Sequence, residues 1–337
     1  MANGSTALEF EKPIVELELK IEELRVFSKE KNVDVSGEIK ALEEKCEILK
    51  HEIYNALTPW HRVQLARHPQ RPYTLDYINL MMTNFVELHG DRLYGDDPSI
   101  VGGFAMLDDI PVMVLGHQKG RNIDENMKRN FGSAHPEGYR KAIRLMMLAA
   151  KFGKPVVCLL DTQGAYPGDA AEARGIAEAI ARNMKIMSTL PVPIVVVVIG
   201  EGGSGGALGI GVGNRVLMME NAIYSVISPE GCASILYKDS KFANEAAKAL
   251  KVTAQDLKEL GVIDEIVPEP LGGAHRNMEV TAENLKSVLK RNLIELIKIN
   301  SSKLIEMRYK KFRAMGSFEE KKKKCESNGI KSKKRKG

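Results

Sequence analysis

The run Val192-Pro-Ile-Val-Val-Val-Val-Ile199 leads straight into Gly200-Glu-Gly-Gly-Ser-Gly-Gly-Ala-Leu208. An uncharged apolar run of this kind reads as a strand buried on both faces, as in a parallel sheet. Seven small residues follow it where the strand turns into a helix. They leave backbone amides uncovered near a helix start, where amides can hold a developing anion. A second turn, Asp161-Thr-Gln-Gly-Ala-Tyr-Pro-Gly168, follows the apolar run Pro155-Val-Val-Cys-Leu-Leu160. Two glycine-bearing turns after two parallel-type strands predict one site built from backbone amides.

Outward from these turns, further strands are read at Pro111 to Leu115, Arg215 to Met219 and Ile223 to Ile227, besides Pro155 to Leu160 and Pro193 to Ile199. Helices are read at Glu137 to Lys151, Ala170 to Thr189, Ser204 to Gly211 and Glu245 to Lys251, and from Asn284 to about Asn300. This alternation, beginning at Thr83, predicts an α/β core with covered sheet faces. Upstream, Ile14, Leu17, Ile21 and Leu24, then Ile39, Leu42, Cys46, Leu49 and Ile53, recur at helical spacing in two polar segments. They predict an antiparallel helical hairpin over residues 10–58, with Pro59 ending the second helix. Arg62 to Tyr77, carrying Pro69 and Pro72, reads as a packed connector over the surface, with a contact through its basic residues as the lesser reading.

The net charge of +5 over 337 residues misleads about partners. Glu319 to Gly337 holds nine Lys or Arg against three Glu, which leaves the rest of the chain near −1. Residues 311–337 therefore read as a basic disordered tail, with nonspecific attraction to nucleic acid its minor reading. Cys46, Cys158, Cys232 and Cys325 are far apart and form no ligand cluster, so reduced thiols and no metal site are expected. No apolar run is long enough for a membrane span, and Met1 to Thr6 has no signal-peptide pattern.

The glycine segment lacks the Gly-Lys-Ser/Thr end of a phosphate-binding loop, and Gly209, Gly211 and Gly213 lack dinucleotide-fingerprint spacing and read as close helix packing. Gly202 to Gly206 differ. Four glycines in five residues cost a helix about 1 kcal/mol each, so exposed backbone is the reason for them. Ser204, Asp264 and His275 follow the order of a nucleophile elbow, but so glycine-rich a run meets that pattern easily. Lys119, Arg121, Arg140 and Lys141 are candidate anion contacts or structural ion-pair residues.

The residues then become recognisable. Arg67-His-Pro-x-Arg-Pro72, Phe85-x-Glu-Leu-His-Gly-Asp-Arg92, Gly116-His-Gln-Lys-Gly-Arg121, Gly200-Glu-Gly-Gly-Ser-Gly-Gly-Ala-Leu208 and Glu269-Pro-x-Gly-Gly-Ala-His275 stand in order. From about Phe10 to Arg276 the chain closely resembles the alpha subunit of the acetyl-CoA carboxylase carboxyltransferase of multisubunit bacterial and plastid type. The resemblance implies a crotonase-like α/β core of repeated ββα units at 59–310, behind the hairpin. It implies an α2β2 assembly with a zinc-bearing beta subunit that receives acetyl-CoA. It also implies biotin on a separate carrier protein, a separate biotin carboxylase that consumes ATP, malonyl-CoA as product, and a cytoplasmic or plastid-stromal setting.

On this reading the amides of Gly205 and Gly206, with the turn Gly164, Ala165 and Gly168, hold charge on the biotin ureido oxygen. Tyr166, Lys119, Arg121, Gly202 and Gly203 contact substrate, and the enolate hole lies on the beta subunit. The freed ureido nitrogen serves as base, which accounts for the lack of an obvious His or Asp. Two departures from the family stand out: Gln163 replaces a common proline, and Ser133-Ala-His135 replaces an apolar, proline-bearing loop. The competing readings are an acyl-CoA hydratase or isomerase using Glu201 or Glu172, and a noncatalytic scaffold that docks a biotin carrier.

Overall fold

The valine run becomes the middle of a sheet. In a computed structural model of the chain, which describes residues 7–316, the strands are β1 (Thr83–Glu87), β2 (Ile100–Leu107), β3 (Ile110–His117), β4 (Val156–Thr162), β5 (Ile194–Gly203), β6 (Arg215–Met219), β7 (Ile223–Ser225) and β8 (Glu265–Val267). They are ordered β1-β2-β3-β4-β5-β6-β8, with β7 paired to β5. β1, β2 and β3 form an antiparallel meander, while β3, β4, β5, β6 and β8 run parallel. β5 lies between β4 and β6 and is buried from Ile194 to Gly202, which is why its sequence shows no alternation.

The strand ends that carry the two turns are irregular. The register of β4 against β5 shifts between Leu160 and Thr162, and Glu201 to Gly203 leave β6 to pair with Ile223 to Ser225 of β7. Such a shift re-aims a strand end and opens room beside it. Gly203 is needed there: a Cβ would sit 2.2 Å from the Gln163 carbonyl oxygen.

The helices are α1 (Lys12–Lys31), α2 (Ser36–Asn55), α3 (Pro59–Ala66), α4 (Thr74–Met81), α5 (Ile123–Lys128), α6 (Pro136–Lys151), α7 (Asp169–Ala173), α8 (Ile176–Thr189), α9 (Ser204–Leu208), α10 (Pro229–Leu236), α11 (Ala243–Leu250), α12 (Ala254–Glu259), α13 (Met278–Ile297) and α14 (Ser301–Arg313). The helix read at Ala170 to Thr189 is two, because Gly175 takes a left-handed φ of 81° between α7 and α8. Pro59 does not end α2. It opens α3, whose N-cap Thr58 accepts from the His61 amide at 3.2 Å.

Arg62 to Tyr77 is likewise no surface wrap, since it forms α3 and α4 around a fully buried Arg71. Arg71 donates to the Ile199 carbonyl at 2.7 Å and makes a two-pronged pair with Glu269 at 2.5 and 3.1 Å. The tail boundary at 311 cuts a helix, for Lys311 belongs to α14 and pairs with Asp264. The basic run and Cys325 lie outside the described residues.

Ile14, Ile21 and Cys46 meet Leu17, Ile39, Leu42, Leu49 and Ile53 between α1 and α2, as helical spacing requires. Glu11 ties this pair to the body. Its carboxylate is 1% exposed and accepts from the Tyr54 hydroxyl at 2.5 Å and from the Leu8 amide at 3.1 Å, with His275 Nε2 at 3.3 Å. Burial alone would raise its pKa, but hydrogen bonds from His275 and Tyr54 outweigh that and hold it at about 2.

A depressed carboxylate contributes stability above its unfolded pKa and loses that stability as pH falls through the folded one. Amide protection of α1 is therefore expected to fall between about pH 4.5 and 2 in hydrogen exchange corrected for intrinsic rates, and Glu11→Gln should abolish that step. An α1 whose protection does not change across this range would contradict the tie.

Candidate active site

A cleft of about 480 Å³ opens where β4 and β5 end. Its glycine-rich side is Gly202, Gly203, Ser204, Gly205 and Gly206, and the facing turn supplies Gln163, Gly164 and Ala165. Residues Ser225 to Pro229, with Ile223, Pro167, Ser133, Glu201 and Arg67, complete the lining. Ser204 takes φ 50°, a left-handed conformation that costs a non-glycine residue about 1 kcal/mol or more. It bends the chain from strand to helix in one step.

Gly205 and Gly206 stand in the first turn of α9, where amides have no earlier carbonyl to bond. The fit of the two turns is tight, since a Cβ on Gly206 would lie 2.5 Å from both the Ala165 nitrogen and the Gly164 carbonyl carbon.

The residues singled out in the sequence divide here. Gly202, Gly203, Gly205, Gly206, Gly164 and Ala165 line the cleft, whereas Gly168, Tyr166, Lys119 and Arg121 do not. The amide of Gly164 is spent on Thr162 Oγ1 at 3.1 Å, so it is not a free donor. Tyr166 stacks on His135 with centroids 4.1 Å apart, and Gly168 packs under the Tyr166 ring. Arg121 donates to the Pro69 and Arg71 carbonyls at 2.8 and 2.9 Å, pairs with Asp76 and covers the Tyr73 ring, which pins the segment before α4.

Lys119 is a largely covered cross-link between strand ends. Its Nζ lies 2.8 Å from Asp161 of β4 and 3.0 Å from Glu201 of β5. Burial would lower its pKa, but the charges of Asp161 and Glu201 prevail and raise it. Lys119→Met leaves Asp161 without its cation while Glu201 keeps Arg67, so it is expected to destabilise the fold by about 3 kcal/mol without raising KM for either substrate. A KM increase at unchanged thermal midpoint would instead put Lys119 in contact with substrate.

Arg67 is the cationic side chain of the 62–77 segment that reaches the cleft. It donates from Nε to Glu201 at 2.7 Å and from Nη1 to Glu230 at 2.6 Å, and about a third of it remains exposed at the cleft. No local pattern marks it, because its partners lie far along the chain.

Side-chain acid–base chemistry has little to work with here. Both oxygens of Glu201 are taken by Arg67 and Lys119. Against the effect of burial, those cations hold its pKa below the usual glutamate value, which makes it a poor base. Glu172 is exposed on α7 and does not line the cleft.

The elbow constellation is not assembled either. Asp264 accepts from the Val216 amide at 2.6 Å and pairs with Lys311, while His275 faces Glu11 at the hairpin. His117 is fully buried, and burial with nearby Lys119 lowers its pKa to about 3.

Among the described residues, ligating atoms of Glu11, His68 and His275 lie within 4.8 Å of one another. The two imidazoles are stacked face to face at 3.9 Å, and His68 Nδ1 accepts from the Gln70 amide at 3.2 Å. This group reads as the hairpin's attachment, and none of its three residues lines the cleft. No described helix is long and apolar enough to cross a membrane.

Such a cleft, walled by amides at the ends of parallel strands and poor in side-chain bases, defines a site for reactions that develop an oxyanion. Residues 7–316 match the family model described as acetyl co-enzyme A carboxylase carboxyltransferase-like. The chain is 58% identical over 313 residues to the acetyl-coenzyme A carboxylase carboxyl transferase subunit alpha of Anoxybacillus flavithermus, covering 93% of this chain and 96% of that one. It is 57% identical over 309 residues to the subunit of the same name in Heliobacterium modesticaldum, covering 92% of each.

Among solved structures, a Pseudomonas malonate decarboxylase hetero-tetramer with coenzyme A gives a TM-score of 0.56 at 16% identity, over 70% of this chain and 91% of that one. Transcarboxylase 12S gives 0.51 at 19% identity, over 65% of this chain and 42% of that one, so this chain spans less than half of it. These two likenesses are of fold. The chain belongs to the acetyl-CoA carboxylase carboxyltransferase alpha-subunit family. It is an enzyme subunit that serves the movement of a carboxyl group to acetyl-CoA-like substrates.

Proposed function

We propose that the cleft receives carboxybiotin borne by a separate carrier protein, and that a beta subunit seated over it in an α2β2 assembly presents acetyl-CoA, giving malonyl-CoA. The observation that carries this reading is that Gly205 and Gly206, in the first turn of α9, line a cleft whose titratable side chains, Arg67 and Glu201, are engaged in internal pairs. Bound there, the cofactor supplies the carboxyl group. The chain's part is to hold negative charge at an oxygen through the amides of Gly205, Gly206 and Ala165, while Gly202 and Gly203 keep the wall free of side chains. Donors fixed in advance stabilise such charge without reorganisation.

The residue types suit a neutral, anion-developing ureido group, because they offer N–H donors with no competing base. The strand-strand-helix runs β2-β3-α5 and β6-β7-α10 support a crotonase-type core of ββα units. The division we propose is hairpin at 10–58, transferase body from 59 through α14, and a basic tail. Biotin carboxylation and ATP use belong to a separate biotin carboxylase, and the setting is cytoplasmic or, for a processed chain, the plastid stroma.

The test is malonyl-CoA formation from acetyl-CoA and carboxybiotin by this chain alone, by the beta subunit alone and by the two mixed. Activity in the mixture alone is expected. Activity of the isolated chain would favour the hydratase or isomerase reading, and a formed but inactive complex would favour a scaffold.

A further inference from the structure

A five-residue helix with two glycines has almost no stability of its own, yet the proposed donors need α9 held still. The holding groups come from α6 and α8. The Gly206 carbonyl should bond the amide of Ile210, but that amide goes to Ala207 O at 3.3 Å. The hydroxyl of Tyr139, a fully buried residue of α6, donates to Gly206 O at 3.2 Å in its place.

Below it, Asn183 of α8, itself 1% exposed, donates from Nδ2 to the Tyr139 carbonyl at 2.9 Å and to the Gly209 carbonyl at 3.0 Å. The ring adds a steric stop, since a Cβ on Gly209 would lie 2.5 Å from it. α9 is thereby clamped between the Gly164–Ala165 turn on one side and Tyr139 with Asn183 on the other.

We propose that Tyr139 is a positioning residue for carboxyl transfer, its hydroxyl holding the Gly206–Ala207 peptide in place of the missing helical bond and so, through the short α9, keeping the preceding Gly205 and Gly206 amides in position. This rests on the reading of those amides as donors. Tyr139→Phe removes one oxygen and keeps the ring. Loss of a neutral hydrogen bond corresponds to roughly a fivefold change in rate when it acts on the transition state.

The experiment measures kcat and both KM values of Tyr139→Phe in the complex with the beta subunit, per assembled complex, beside Tyr77→Phe and Gly206→Ala. Tyr77 is equally buried and its hydroxyl has no hydrogen-bond partner among the described residues, so it controls for loss of a core hydroxyl. The expected result is kcat about fivefold lower for Tyr139→Phe with KM values and thermal midpoint like those of Tyr77→Phe, which retains full kcat. Asn183→Leu, which removes the brace beneath Tyr139, should lower kcat in the same direction. Full kcat in Tyr139→Phe with a collapsed Gly206→Ala overturns the positioning role alone. Full kcat in both overturns the donor reading on which it rests. Equal losses in Tyr139→Phe and Tyr77→Phe reduce Tyr139 to a packing residue.

Discussion

Gly206→Ala is expected to lower carboxyl transfer by about a hundredfold or more in kcat, because misplacing aligned groups by an ångström costs that much. The added methyl would stand 2.5 Å from the Ala165 nitrogen and the Gly164 carbonyl carbon, and 2.9 Å from the Gly164 Cα. These are backbone atoms of a turn fixed by Thr162, so α9 and not the turn must move. The neighbouring position calibrates the effect. A methyl on Gly205 meets only Ile180 Cδ1 at 3.7 Å and keeps the N–H, so Gly205→Ala should lose far less activity. Steady-state kinetics of both variants with the beta subunit checks this. Equal losses would mean that bulk in the cleft matters and the fit of the two turns does not.

Glu269→Gln should be the most destabilising conservative change, lowering the free energy of unfolding by about 3–5 kcal/mol. It strands the guanidinium of Arg71, which is 1% exposed and has no other carboxylate in its hydrogen bonds. Glu269 also accepts from the Asn221 and Ala274 amides at 3.0 and 2.8 Å, so it joins the segments after β6 and β8 to the one before α4. Arg71 bonds the carbonyl of Ile199, one residue before the glycine turn, so the same lesion loosens the end of β5.

Burial would raise the pKa of Glu269, but the charge and hydrogen bonds of Arg71 outweigh it and lower the value. The folded-state pKa lies below the unfolded one, so this contribution persists at neutral pH and is lost only in acid beneath the ordinary glutamate range. Denaturant unfolding of the variant at pH 7, and of the parent as pH falls, measures both. An unchanged midpoint in Glu269→Gln would show that Arg71 is solvated in a way its burial denies.

What could be read from the chain follows the range of the interactions. The valine run announces β5 because a strand buried on both faces leaves no room for charge, and the glycines after it announce a close approach of backbones. The hairpin was legible for the same local reason, a seam at three- and four-residue spacing. β2 gives no such signal, since Gly102 and Gly103 interrupt the β-branched pattern that marks a strand.

Basic residues near the glycine loops looked free in sequence. Lys119 and Arg121 prove committed to Asp161, Glu201 and Asp76, as only long-range contacts can decide. Pro69 and Pro72 make the surroundings of Arg67 read first as a connector, and its pairing with Glu201 and Glu230 is too long-range for sequence to show. The loss of the Gly164 amide was locally legible: a threonine two residues before a glycine can fold back on that amide, as Thr162 does.

The most direct measurement replaces the single amide between Ser204 and Gly205 by an ester, which removes the N–H and leaves every side chain in place. Assembled with the beta subunit, that protein should show kcat reduced by about a hundredfold, with complex formation and thermal midpoint unchanged. Undiminished transfer by the ester would contradict the claim that backbone amides of α9 carry the reaction.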